Sequence, residues 1–139
     1  MNEIWAIVLA AGLSTRMGTQ KLLLPFEGKT IIEKVIENII LSGIKQIKVV
    51  LGADRTAISE VLKSMPIGFV MNENFQEGMH TSVITGVKAL PSEAKAVLVF
   101  LGDQPFIPAK AIQIVTEAWE ISGKGIVIPL FGGKRGHPP

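Results

Sequence analysis

Ile4-Trp5-Ala6-Ile7-Val8-Leu9, then Ala10-Ala11-Gly12-Leu13-Ser14-Thr15-Arg16-Met17-Gly18-Thr19-Gln20-Lys21, carries most of the architectural information in this chain. Ile4 to Leu9 is an unbroken apolar run. A strand with one face in water alternates apolar and polar side chains, whereas a strand covered on both faces does not, which is the habit of parallel sheets. The residues that follow are small and polar, with Gly12, Ser14, Thr15, Gly18 and Thr19, and Ala10 to Lys21 reads as a long loop.

The same rhythm returns along the chain. Thr30-Ile31-Ile32-Glu33 has capping-box spacing and starts a helix, with Ile31, Ile32, Val35, Ile36, Ile39 and Ile40 on one face and Ser42-Gly43 at its end. Asp54 is expected to cap a short helix carrying Ile58, Val61 and Leu62. Asn72 to Thr81 reads as a polar loop, and Ser82 to Leu90 as a helix with Val83, Ile84, Val87 and Leu90 on one face. Pro108 suits the first turn of a last helix, lined by Ala111, Ile112, Val115, Ala118 and Trp119. Strands are expected at residues 4–9, 47–51, 67–71, 96–101 and 126–128. Strands alternating with helices predict an α/β fold with a mostly parallel sheet, right-handed crossovers and helices on both faces.

Composition narrows the class. A chain of 139 residues is one domain, able to bury about 68 % of its unfolded surface. With 47 % hydrophobic and 19 % charged residues it is not intrinsically disordered. Mean hydropathy is high, +0.40. Yet the longest apolar stretch, Ile4 to Ala11, is far short of the ~20 residues of a membrane span, and Glu3 before it speaks against a secretory signal. Without cysteine there is no disulfide, thiolate metal site or cysteine nucleophile, and a cytoplasmic location is the expectation. Fourteen basic against twelve acidic residues, scattered, with no tyrosine, do not make a nucleic-acid surface.

In open α/β sheets ligands bind at the carboxyl ends of strands. Three polar segments fall there: Ala10 to Lys21, Asn72 to Ser82, and Gly102-Asp103-Gln104-Pro105. In the first, small residues let the backbone approach a ligand and successive N–H groups can form an anion nest, with Arg16 and Lys21 adding charge. A polyphosphate suits such a loop, although both cations also fit as solvated loop charges. It is neither a Walker A loop nor a dinucleotide fingerprint. Asp103, directly after a strand, suits Mg²⁺ beside a triphosphate, or else a turn aspartate binding nearby backbone N–H groups. With His80 and His137 the only histidines, a three-ligand zinc site is not expected, and Ser82 lies in no nucleophile elbow. Met17 and Met79 read as packing residues.

Leu9 to Lys21 resembles the signature Leu-Ala-[Ala/Gly]-Gly-x-[Ser/Gly]-x-Arg-Met-Gly-x-x-Lys of the MobA-like nucleotidyltransferases. Gly102-Asp103-Gln104-Pro105, Gly136-His137-Pro138 and Gly78-Met79-His80-Thr81-Ser82-Val83 agree with that family in order and spacing. Ala11 and Ser14 look most like its molybdenum cofactor cytidylyltransferase branch; the guanylyltransferase branch usually has Gly at the position of Ala11. The resemblance implies a three-layer α/β/α, Rossmann-like fold of the nucleotide-diphospho-sugar transferase type. It implies transfer of CMP from CTP to the terminal phosphate of molybdopterin, with release of pyrophosphate and Mg²⁺ as cofactor. A molybdenum hydroxylase would receive the product.

By that resemblance Gly12, Leu13 and Ser14 donate backbone N–H groups to the phosphates, Arg16 stabilises the leaving pyrophosphate, Lys21 reaches the α-phosphate and Asp103 holds Mg²⁺. Leu9, Ala10, Ala11, Asn72, Gly78 and Ser82 border the nucleotide, and His137 sits near the acceptor. Residues 1–139 then form a single nucleotidyltransferase domain without its C-terminal part, since family members run further and carry a second metal-sharing acid there. The fifth strand is indeed followed only by a glycine-rich tail ending Gly136-His137-Pro138-Pro139. Other readings are a guanylyltransferase or sugar-1-phosphate nucleotidyltransferase of the same fold, and a non-catalytic nucleotide- or cofactor-binding module. Lys21 and Asp103 argue against the last, because binding alone needs no α-phosphate lysine.

Overall fold

The computed structural model describes residues 4–11, 21–122 and 127–130. Gly12, Leu13, Ser14, Arg16, Met17 and His137 lie outside the described residues. The order of elements is β1 (Ile4–Ala10), β2 (Pro25–Phe26), β3 (Lys29–Thr30), α1 (Ile31–Leu41), β4 (Gln46–Leu51), α2 (Arg55–Leu62), β5 (Gly68–Met71), α3 (Met79–Lys88), β6 (Ala96–Leu101), α4 (Ala109–Ser122) and β7 (Val127–Leu130). Five strands form one sheet ordered β5-β4-β1-β6-β7, and every neighbouring pair is parallel. With helices on both faces, this is the three-layer α/β/α architecture expected from the alternating pattern.

The unbroken apolar runs become the central strands. Residues 6–10 of β1 and all of β6 are buried, because both sheet faces are covered. Ile4, Ala6, Val8 and Ala10 point to the face carrying α1, α2 and α4, together with Ile36, Ile58 and Ile112. Ile7, Leu9, Val97, Val99 and Leu101 point to the other face, where Val83 of α3 and Leu90 just beyond its end pack. At α1 the capping box forms as read. Thr30 Oγ1 accepts from the Glu33 N–H at 3.2 Å, and the Thr30 N–H donates to Glu33 Oε1 at 2.9 Å.

Several expectations are corrected. Ala10 is the last residue of β1 rather than the first of the loop, and Lys21 opens a short 3-10 turn, Lys21–Leu23. Asp54 occupies the N-cap of α2, but its side chain makes no capping bond. Helix α3 starts at Met79, inside the stretch read as loop, and its buried positions are Ser82 and Gly86, while Ile84 and Val87 are exposed. Small residues are required there: a Cβ on Gly86 would lie 2.8 Å from Ile7 Cγ2 and 3.1 Å from Val50 Cγ2. Met79 is likewise exposed, not packed. The steps β1→β4 and β6→β7 run in opposite directions along the sheet, yet α1 and α4 cover the same face. The two crossovers therefore have opposite hands, against the uniform right-handedness expected. Ile112 and Trp119 of α4 join the α1-side core, and Asn38 Nδ2 of α1 donates to the Pro105 carbonyl at 3.1 Å, tying the loop before α4 to α1.

Candidate functional site

The chain leaves β1 toward one edge of the sheet, through β4 and β5, and returns across to β6. The switch point is between β1 and β6, where such sheets open a crevice at their carboxyl ends. Leu9 pairs with Leu101 in register, so Ala10-Ala11 and Gly102-Asp103 leave the sheet side by side. The Gly102 N–H donates to the Leu9 carbonyl at 3.0 Å. A Cβ on Gly102 would lie 2.8 Å from that carbonyl oxygen and 3.3 Å from Leu22 Cδ1. Glycine thus lets the exit of β6 lie against β1 while Leu22 fills the space beside it.

Buried Leu22 in turn fixes its neighbour Lys21, whose Nζ stands 3.6 Å from Asp103 Oδ2. Asp103 sits at the tip of a turn closed by the Gln104 N–H on the Leu101 carbonyl at 3.1 Å. Among the described residues its carboxylate partner is Lys21, not the turn backbone, and its side chain is 34 % exposed. The structure thus brings together Lys21 and Asp103, two of the three residues singled out for chemistry, in reach of solvent; the third, Arg16, lies outside the described residues. Among the described residues no group of three His, Cys, Asp or Glu converges to hold a metal. A lone carboxylate can serve a hard cation that takes its other ligands from phosphate oxygens and water, once the Lys21 ammonium leaves it for a phosphate.

Other candidates have a framing position. Leu9, Ala10 and Ala11 are buried, their side chains in the core, and the Leu9 carbonyl is taken by Gly102. The Ala11 methyl lies in the core rather than facing open space. Ala11 instead presses on the end of β4: a Cβ on Gly52 would be 2.6 Å from the Ala11 carbonyl oxygen and 2.9 Å from Phe75 Cβ. Asn72 and Ser82 are also buried and meet each other, Asn72 Nδ2 donating to Ser82 Oγ at 2.9 Å. Gly78 has φ 123° and ψ 166°, a conformation that only glycine adopts readily, and turns the chain into α3.

Sequence reasoning missed three features of this edge. Gly52 follows a strand as Ala11 and Gly102 do, so the same carboxyl-end rule could have found it. Thr81 lies in the quoted Gly78–Val83 segment, but nothing there marks its hydroxyl as the polar link described below. The hairpin β2–β3 turns at Glu27-Gly28, both with positive φ (53° and 84°), without the usual Asn-Gly signature. It carries Phe26 against Phe106 of the Asp103 loop, ring centroids 5.4 Å apart and nearly perpendicular. A cavity of ≈ 210 Å³ bounded by Ile4, Ser42, Ile44, Gln113 and Glu117 lies at the opposite, amino end of β1. No described helix is long and apolar enough to cross a membrane.

The family model for the MobA-like NTP transferase domain matches residues 6–139. The molybdenum cofactor cytidylyltransferase of Escherichia coli (strain K12) is 33 % identical over 139 residues, 99 % of this chain and 69 % of that protein. Nicotine blue oxidoreductase of Paenarthrobacter nicotinovorans is 33 % identical over 103 residues, 73 % of this chain and 50 % of that protein. A nucleotidyl transferase structure from Methanothermobacter thermautotroptrophicus superposes with a TM-score of 0.77 at 29 % identity, covering 84 % of this chain and 58 % of that one. The chain thus spans from half to about two thirds of the length of these relatives.

Proposed function

Since the chain belongs to the MobA-like NTP transferase domain family, we propose that it transfers CMP from CTP to the terminal phosphate of molybdopterin, releasing pyrophosphate. The observation that carries this reading is the Lys21–Asp103 pair, 3.6 Å apart at the switch point between β1 and β6. In the transfer, a terminal phosphate oxygen of the acceptor attacks the α-phosphorus of CTP. A new P–O–P bond forms, the bond to the β-phosphate breaks, and pyrophosphate leaves with the electron pair. The attacking oxygen is already anionic, so the site needs neither a protein nucleophile nor a strong base. It needs in-line alignment and positive charge where negative charge builds up.

Lys21 then neutralises the α-phosphate, where that charge develops. Asp103 is the residue that would hold Mg²⁺, which when bound neutralises the triphosphate. Gly12, Leu13 and Ser14 are assigned to the phosphates through backbone N–H groups, Arg16 to the leaving pyrophosphate, and His137 to the acceptor. The choice of cytosine rests on the similarity to the Escherichia coli cytidylyltransferase over 99 % of the chain, not on the buried Ala11 methyl.

Equal identity to an oxidoreductase over a shorter span makes the product the deciding observation. The test is incubation with each NTP, Mg²⁺ and molybdopterin, following pyrophosphate and the cytidylated cofactor. Pyrophosphate formed with CTP and dependent on the acceptor supports the reading. Sugar-1-phosphate-dependent release, or nucleotide binding with no pyrophosphate, replaces it with one of the other two classes.

A further inference from the structure

Asn72 is 2 % exposed, yet it stands at the carboxyl end of β5 where the sheet opens to ligands. Every polar atom of its side chain is used inward. Nδ2 donates to Thr81 Oγ1 and to Ser82 Oγ, both at 2.9 Å, and Oδ1 accepts from the Asn74 N–H at 2.9 Å. Its own N–H donates to the Leu51 carbonyl at 2.8 Å, which ties it to β4. The Thr81 hydroxyl in turn lies 2.7 Å from the Gly78 carbonyl and 3.0 Å from the Asn74 carbonyl, and donates between them. One amide and one hydroxyl therefore close both ends of the segment 72–82 and cross its middle. The residues Glu73, Asn74, Gln76, Glu77, Met79 and His80 are exposed, and Phe75 is the loop's one apolar anchor, packed against the cluster of Ile7, Leu9, Ala11 and Val50; the rest of the loop is shaped from inside by hydrogen bonds.

We propose that Asn72 and Thr81 are positioning residues: a polar clasp, out of contact with the ligand, that sets the loop between β5 and α3 as the wall against the nucleotide base. This rests on the nucleotide reading above and adds to it how the base wall is held. A fully satisfied buried polar network is rigid, and a loop with few apolar contacts loses its shape when one member goes. The phosphate end of the site, at Lys21 and Asp103, hangs on the turn Lys21–Leu23, anchored by buried Leu22, and on the end of β6, and does not use the clasp. Loss of the clasp therefore weakens recognition of the base and spares recognition of the phosphates.

The experiment is calorimetric titration of the full chain with CTP and, separately, with inorganic tripolyphosphate, both with Mg²⁺, alongside thermal melting. Thr81→Val keeps the side-chain shape and removes the hydroxyl. It should raise the Kd for CTP about tenfold, or ~1.4 kcal/mol, and leave tripolyphosphate within about twofold. Thr81→Ser should restore CTP affinity, and Asn72→Asp, which loses the donated bonds, should follow Thr81→Val. A merely structural role lowers the melting temperature without separating the two ligands. If Thr81→Val keeps wild-type CTP affinity, or weakens both ligands equally, the clasp proposal is overturned while the function stands. If the wild type binds tripolyphosphate as tightly as CTP, there is no base wall to position and the proposal falls. If it binds neither, the nucleotide reading falls first and takes the clasp with it.

Discussion

Asp103 and Lys21 are close enough to attract, but with 34 % and 61 % of their side chains exposed the pair adds little to stability. Exposed ion pairs are worth about 0–1 kcal/mol. An incoming triphosphate and cation can therefore separate them at small cost. Asp103→Asn should leave urea stability within about 0.5 kcal/mol of wild type, since surface changes away from special features rarely do more. In a form of the enzyme that turns over, it should abolish pyrophosphate release and its dependence on Mg²⁺. Lys21→Ala should also slow release, yet keep the Mg²⁺ dependence. Near-wild-type turnover with unchanged Mg²⁺ dependence in Asp103→Asn would make Asp103 a turn residue. Gly102 is a different case, because its constraint is steric. Ala at 102 brings a methyl to 2.8 Å from the Leu9 carbonyl oxygen, backbone that cannot step aside. Overpacking of this kind costs about 1–3 kcal/mol, so urea denaturation of Gly102→Ala should show a loss in that range. Unchanged stability would mean that β1 and β6 can part at their ends without penalty.

The elements that were legible are those whose signal is local. The α1 start is an example, since Thr30 and Glu33 satisfy each other's backbone N–H groups with no help from the rest of the fold. Thr30→Ala removes one of these bonds and should lower stability by about 1 kcal/mol, as N-cap truncations typically do. Thermal melting checks it, and a melting temperature equal to wild type would show that packing alone sets where α1 begins. Helix α3 was misread because tertiary contact outweighs its apolar pattern. The helix crosses the sheet so closely that Gly86 and Ser82 face inward and Ile84, 49 % exposed, faces out. No periodicity count anticipates a buried face made of a glycine and a serine. The hairpin β2–β3 was missed for a related reason: each strand is two residues long, and Glu27 takes a positive φ that glutamate seldom adopts. Within the site, Asp103 could be named in advance because its charge directly follows a strand end, whereas Lys21 stands well past β1 and its role is implied by the family signature. The inward duty of Asn72 was not, since whether an asparagine faces ligand or core depends on partners nine and ten residues away.

For the molecule as a whole, the parallel sheet gathers the ends of β1, β4, β5 and β6 along one edge, and a ligand there touches segments that are far apart in sequence. Binding to the native state alone stabilises it by RT ln(1 + [L]/Kd), about 2.7 kcal/mol at a hundredfold excess over Kd. For a chain of 139 residues, between the sizes for which shifts of 4–8 °C and 2–4 °C per kcal/mol are typical, that corresponds to roughly 10 °C in melting temperature. Saturating CTP with Mg²⁺ should therefore produce a large upward shift, GTP at the same concentration a smaller one, and sodium chloride of equal ionic strength none. In Asp103→Asn the CTP shift should shrink and lose its dependence on Mg²⁺, since the carboxylate that would hold the cation is gone. Hydrogen exchange supplies the spatial check. Protection should rise at Gly52, Asn72 to Ser82 and Gly102 to Gln104 together, because these segments border one site although they are separated in the chain. The amino end of the sheet, near Ile44 and Glu117, should not change. A CTP shift accompanied by protection at that opposite end instead would move the nucleotide site away from the switch point and remove Lys21 and Asp103 from the reaction.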